Sequence, residues 1–283
     1  MANPVLNDRA LSQASNTWAP PQAGGASGDQ SGTGYFPPVD DGPTSPFVRE
    51  AMTVNGVISA TATLFVLLLA SAAFGWFATG APEEVVRGDG TVGYQNTIPM
   101  LAWVGLIVGI GLTFLLMFKP RLAKFIAPIY AIAEGYFVGA ISRAYENLYD
   151  GLVVQAAGMT LAVFAVMLVL YRTGVIRVTE RFRKIVVTAT IGVMVFYGVS
   201  MLIRLFGGSV SFLSSPSLLG IGFSVLVAGL AAFNLALDFD FIEKGSKQGL
   251  DKNFEWYAAF GLLVTIIWLY LELLRLLAKL RER

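Results

Sequence analysis

Seven stretches of the chain stay apolar for about twenty residues each, at 54–77, 99–118, 123–144, 152–171, 185–206, 217–241 and 256–278. A helix needs about 20 residues to cross a hydrocarbon core of about 30 Å, so the pattern predicts seven membrane spans. The polar connections are short and no internal repeat interrupts them, which predicts one all-α, seven-transmembrane-helix bundle over residues 51–283. Residues 1–50 differ: Gly, Pro, Ser, Ala, Asn and Gln dominate, with no sustained apolar period. They are expected to form a disordered cytoplasmic tail. A cleavable leader is not expected, because the first apolar stretch begins only after residue 53 and is too long for one.

Composition places the pattern in a membrane. The 283 residues are 55% hydrophobic and 14% charged, against about a quarter charged in a soluble domain. The chain has no cysteine and no histidine, which removes disulfides, thiolate chemistry, the usual zinc or copper sites and the ordinary near-neutral proton switch. No cofactor is expected, and proton or cation chemistry falls to carboxylates. The formal charge of +1 points to no charged partner. No basic patch suggests nucleic acid; the expected partner is the bilayer itself.

Lys and Arg set the expected orientation. One side collects Arg9, Arg49, Lys119, Arg121, Lys124, Arg172, Arg177, Arg181, Arg183, Lys184, Lys244, Lys247 and Lys252, whereas the opposite loops hold Arg87, Arg143 and Arg204. The tail "RLLAKLRER" runs against the trend. The amino terminus is therefore expected in the cytoplasm, and the absence of disulfides fits a bacterial-type inner membrane. Two glycine pairs, Gly105 with Gly109 and Gly135 with Gly139, have the spacing that lets helix backbones approach closely.

The acids carry the candidate chemistry. A charge inside a membrane helix costs about 2.5–3.5 kcal/mol on insertion scales and faces a bundle interior or a watery cavity. In "NLALDFDFIE" Asn234 and Asp238 share a helix face, while Asp240 points away toward Glu243 and Lys244, where an i, i+4 pair is available. Asp238 is read as the functional acid and Asp240 and Glu243 as interfacial. On the last span Thr265, Trp268, Glu272 and Arg275 form one polar stripe, in which a Glu272–Arg275 pair is the plainest reading. Glu134 stands near mid-span with no charge within a turn. It needs a partner from another helix or a proton.

"LDFDFIE" and "WLYLELLRLL" resemble the paired acidic signatures of the transmembrane Bax inhibitor motif family, over roughly residues 54–278, with the tail outside the resemblance. The resemblance implies a bacterial-type member with seven helices, in which acids on the last two form a proton-sensitive latch in a calcium-leak pathway. Carried over, Asp238 matches the sixth-helix aspartate and Glu272 the seventh-helix acid, which is commonly aspartate. The pair would be both pH latch and calcium way-station, and "FKPRLAK" would supply Lys119 or Arg121 to balance Asp238. Glu134 matches no acid of the family. Counted from the expected span ends, the two acids differ in depth by about 18 Å at 1.5 Å per residue, so they meet only if the seventh helix starts below the surface. Two carboxyls in reach of each other cannot both ionise cheaply and titrate as a unit, and calcium prefers such oxygen ligands. The alternative implied by the resemblance is a non-conducting regulator that binds a membrane protease or other membrane proteins. An intramembrane aspartyl protease needs GxGD and PAL motifs, which are absent from the corresponding region; no enzyme is expected.

Overall fold

In the computed structural model the described residues are 51–86, 92–208, 210 and 215–283. The tail of residues 1–50, with Arg9 and Arg49, lies outside them, as do Arg87 and the side chain of Arg204. The described chain is an all-α integral membrane bundle of seven long helices, each apolar enough to cross a bilayer. They are α1 (Val54–Thr79), α2 (Met100–Phe118), α3 (Ala123–Leu148), α4 (Leu152–Arg172), α5 (Glu180–Leu205), α6 (Leu218–Lys247) and α7 (Asn253–Arg281). Two short strands, β1 (Glu83–Val86) and β2 (Val92–Gln95), form an antiparallel ribbon between α1 and α2, with Glu83 opposite Gln95.

Local chemistry sets the helix ends. The Thr53 hydroxyl accepts from the Gly56 N–H at 3.0 Å and opens α1, and Ser217 does the same for Gly220 at 3.1 Å in α6. The Thr179 hydroxyl accepts from the Phe182 N–H at 3.2 Å, so α5 begins at Glu180, five residues before the apolar run suggests. Likewise α6 continues past the expected 241 to Lys247. Gly174 and Gly249, at φ of 73° and 63°, turn the chain after α4 and α6 in a conformation that other residues adopt at a cost.

Helices α3 and α7 form the centre: 61% of the apolar window of each is buried, against 11% for α5. Phe74, Phe77, Phe125 and Met194 point outward, more than half exposed, as lipid rather than water requires. The glycine spacing has its expected effect. A Cβ on Gly139 would stand 1.9 Å from the Ala72 carbonyl oxygen, and one on Gly135 2.5 Å from that of Leu68, so only bare backbone lets α3 lie against α1. Gly105 brings α2 equally close to Ala133 of α3.

One clamp fixes the shared start of α1 and α7. Buried Glu255 accepts from the backbone N–H and the hydroxyl of Thr53, both at 2.9 Å. A carboxylate there meets the positive end of the α1 dipole. Met52 N–H donates to the Leu250 carbonyl at 2.6 Å, and Ala51 bridges Asp251.

Candidate functional site

The acids of α6 and α7 occupy three levels of the bundle rather than one. Nearest the basic end, Asp240 is 6% exposed and accepts from Arg183 of α5 at 2.7 Å and from Lys244 at 2.8 Å. The Lys244 pair is the one that helical spacing predicts; the buried depth and Arg183 are not. Arg183 is missed because a span drawn from residue 185 leaves it in a loop. The Thr179 cap, followed by Glu180, is the start signal that would have brought it into the helix. Glu243 accepts from the Tyr171 hydroxyl at 2.6 Å and pairs with Lys247.

Deeper in, Asp238 is half-buried and faces α7 where that helix carries no side chain. Its Oδ1 would be 3.7 Å from a Cβ on Gly261. Thr265 lies near the carboxyl, but its hydroxyl donates to the Gly261 carbonyl at 3.1 Å. The Asp238 Oδ2 is shielded from solvent and has no hydrogen-bond partner among the described residues. Asn234, one turn away, is committed elsewhere: its amide donates to the Thr190 hydroxyl of α5 at 2.8 Å and to the Leu230 carbonyl at 2.9 Å.

Glu272 sits at a third level, seven residues beyond Thr265 on α7, or about 10 Å further at 1.5 Å per residue. It is 1% exposed and accepts from the Tyr197 hydroxyl of α5 and from Arg275, each at 2.8 Å. Arg275 also donates to the Tyr197 hydroxyl at 2.8 Å and lies over its ring. The triad is closed except at Glu272 Oε2, which has no hydrogen-bond partner among the described residues. Nearby Lys279 is buried and donates to the Gly220 carbonyl at 3.0 Å and the Ser224 hydroxyl at 2.9 Å.

The two acids expected to form a latch are therefore not brought together. The depth mismatch read from the spans persists because the Glu255 clamp holds the start of α7 level with the start of α1. Opposite Asp238 stands Thr265, and Trp268 lies between Thr265 and Glu272 along α7. Glu272 has instead the intrahelical Arg275 partner that the stripe suggests. Lys119 and Arg121, expected to balance Asp238, cap α2 and line the Pro120–Leu122 turn. Neither makes an ion pair among the described residues.

Glu134 is 7% exposed on α3, its Oε2 against the bare backbone of Gly109 on α2. No hydrogen bond or ion pair reaches it among the described residues, so the partner expected from another helix is not supplied there. Among the described residues no three acids gather where a single metal ion could be caged.

A family model described as Bax inhibitor 1 like matches residues 3–282. The match extends well beyond the 54–278 expected, into the amino-terminal segment placed outside the resemblance. No curated protein matches the chain.

Proposed function

The chain belongs to the Bax inhibitor 1-like family, and on that premise we propose that it is a channel-like, proton-sensitive calcium leak rather than an enzyme. Asp238 alone is its titrating gate. The observation that carries this reading is the Asp238 Oδ2, shielded and without a partner beside the gap left by Gly261. A carboxylate so placed attracts a hard cation when ionised. Protonation removes that attraction and leaves a neutral group against Thr265. Calcium flux should therefore fall as pH is lowered from about 8 to about 5.

Flux from purified protein in liposomes tests the assignment. Asp238→Asn should abolish the pH dependence, while Glu272→Gln should leave its midpoint in place, because Glu272 serves the Tyr197–Arg275 triad. Equal loss in both variants would restore a coupled pair and reject a gate of one carboxyl. Orientation belongs to the same proposal: a reporter fused after residue 178 should be cytoplasmic and one inserted near residue 88 exported, as expected for a bacterial inner membrane with the amino terminus inside.

The second reading, a non-conducting regulator that binds a membrane protease or other membrane proteins, is favoured by the isolation of Asp238: among the described residues no acidic cage surrounds it. Protein that carries no calcium in liposomes yet alters the activity of a co-reconstituted membrane protease would establish this reading in place of the leak.

A further inference from the structure

Two recesses meet at the basic end of α4 and α6. One, of about 390 Å³, opens beneath the α4–α5 connection and is lined by Arg172, Arg177, Asp240 and Glu243. The other, of about 830 Å³, is a groove between α1 and α4, floored by Phe239, Ile242, Leu262 and Ile266. They share Tyr171, Arg172 and Glu243, which makes one depression, polar at the rim and apolar below. Thr61 and Thr160 in its walls turn their hydroxyls to the carbonyls of Val57 and Ala156, at 2.8 and 2.7 Å. The groove thus offers hydrocarbon rather than hydrogen bonds.

The charge at the rim is unbalanced in one direction. Both carboxylates are already matched, Asp240 by Arg183 and Lys244, Glu243 by Lys247 and the Tyr171 hydroxyl. Arg177 donates only to the Gly174 carbonyl, at 3.3 Å, and Arg172 acts on Glu243 without pairing with it. Neither arginine has an ion-pair partner among the described residues. What the rim lacks is an anion with oxygen acceptors, which guanidinium groups bind best as phosphate. What the groove lacks is an apolar chain. The size suits one slender ligand.

We propose that the depression holds a glycerophospholipid of the surrounding bilayer, with its phosphate on Arg172 and Arg177 and an acyl chain in the groove between α1 and α4. The site would lie at head-group depth in the leaflet on the basic side. Its floor residues neighbour Asp238 on α6 and Gly261 and Thr265 on α7, so an occupying chain would seal the bundle laterally beside that acid. The inference goes beyond the leak and holds whether or not the protein conducts.

Native mass spectrometry of the full chain, purified in detergent and titrated with phosphatidylglycerol, tests it. One lipid should be retained. The double variant Arg172→Gln/Arg177→Gln should weaken retention about fivefold for each charge removed, and Leu168→Trp, which narrows the groove without altering charge, should also weaken it. Arg181→Gln, on the same basic side but outside the depression, should bind as the parent does. Inorganic phosphate should not displace the lipid. Unchanged retention in the double variant overturns the proposal, and so does a loss in Arg181→Gln as large as in the arginine pair, which would mark diffuse surface attraction. Displacement by inorganic phosphate would also overturn it, leaving an anion site without a lipid. Both arginines are exposed and outside the core, so the double variant reports on binding rather than folding; a melting curve checks this.

Discussion

Helices α3 and α5 both carry a pair of glycines, yet the pairs do opposite things. In α3, Gly135 and Gly139 bring the backbone onto α1, where a Cβ would enter the space of a carbonyl oxygen. In α5, Gly192 and Gly198 meet nothing within 4 Å. The α1–α3 contact thus brings backbone against backbone, and side chains add to it: Leu64, Leu68, Ala131 and Phe137 share one core, and the Ser71 hydroxyl donates to the Ile132 carbonyl at 2.6 Å. Helix α5 is tethered to the bundle by packing on α6 and by polar ties at three heights, Arg183 to Asp240, Thr190 to Asn234 and Tyr197 to the Glu272–Arg275 pair. A small residue matters only where another chain segment has taken the space it leaves. The molecule accordingly has a close-packed half and a half held at discrete points, and Asp240 and Glu272 lie along the second.

The contrast breaks most readily at Gly139. Gly139→Leu should prevent recovery of folded protein or lower its melting temperature by about 5 °C or more, since overpacking costs about 1–3 kcal/mol and occasionally more. Gly192→Leu should melt within about 2 °C of the parent. Equal damage would show that α5 is packed against something after all. Next in size, Glu255→Ala should cost about 1–3 kcal/mol by leaving the Thr53 N–H without its acceptor, read as a lower melting temperature together with faster proton exchange in the first turn of α1. Tyr197→Phe should cost about 1 kcal/mol and speed exchange in the outer half of α5 while leaving α1 and α3 unchanged. Spread of the effect to α3 would count against two separate halves. The smallest effect has the opposite sign: Gly198→Ala, in open space on a helix, should stabilise by up to about 1 kcal/mol, detectable as a small rise in melting temperature.

Much of this architecture is legible along the chain because burial in a bilayer demands length. A run of twenty apolar residues is a one-dimensional signal, and all seven runs become helices. The Glu272–Arg275 pair and the Asp240–Lys244 pair are legible for a similar reason: helical spacing alone brings them together. The hairpin is not read from a count of spans, although Asp-Gly flanked by valines in "VVRGDGTV" is its ordinary sign. What the sequence withholds is the relative height of neighbouring helices. Asp238 meets Thr265 rather than Glu272 because of where α7 begins, and that depends on Glu255 finding Thr53, 202 positions away. Arg183 is hidden by the same ignorance of height, compounded by a helix start placed too late.

The Glu255 clamp has a consequence for how the protein is made. Thr53 is synthesised first and its acceptor 202 residues later, an interval on the order of ten to forty seconds at the usual pace of translation. During that interval α1 can find α2 and α3, whose glycines need no later partner, while its own first turn stays open. A nascent chain stalled after α3 but before residue 255 would carry the α1–α3 contact without the α7 residues Ala259, Phe260 and Leu263 that complete its core, and with an unfinished helix start, a surface by which quality control could tell an incomplete protein from a finished one.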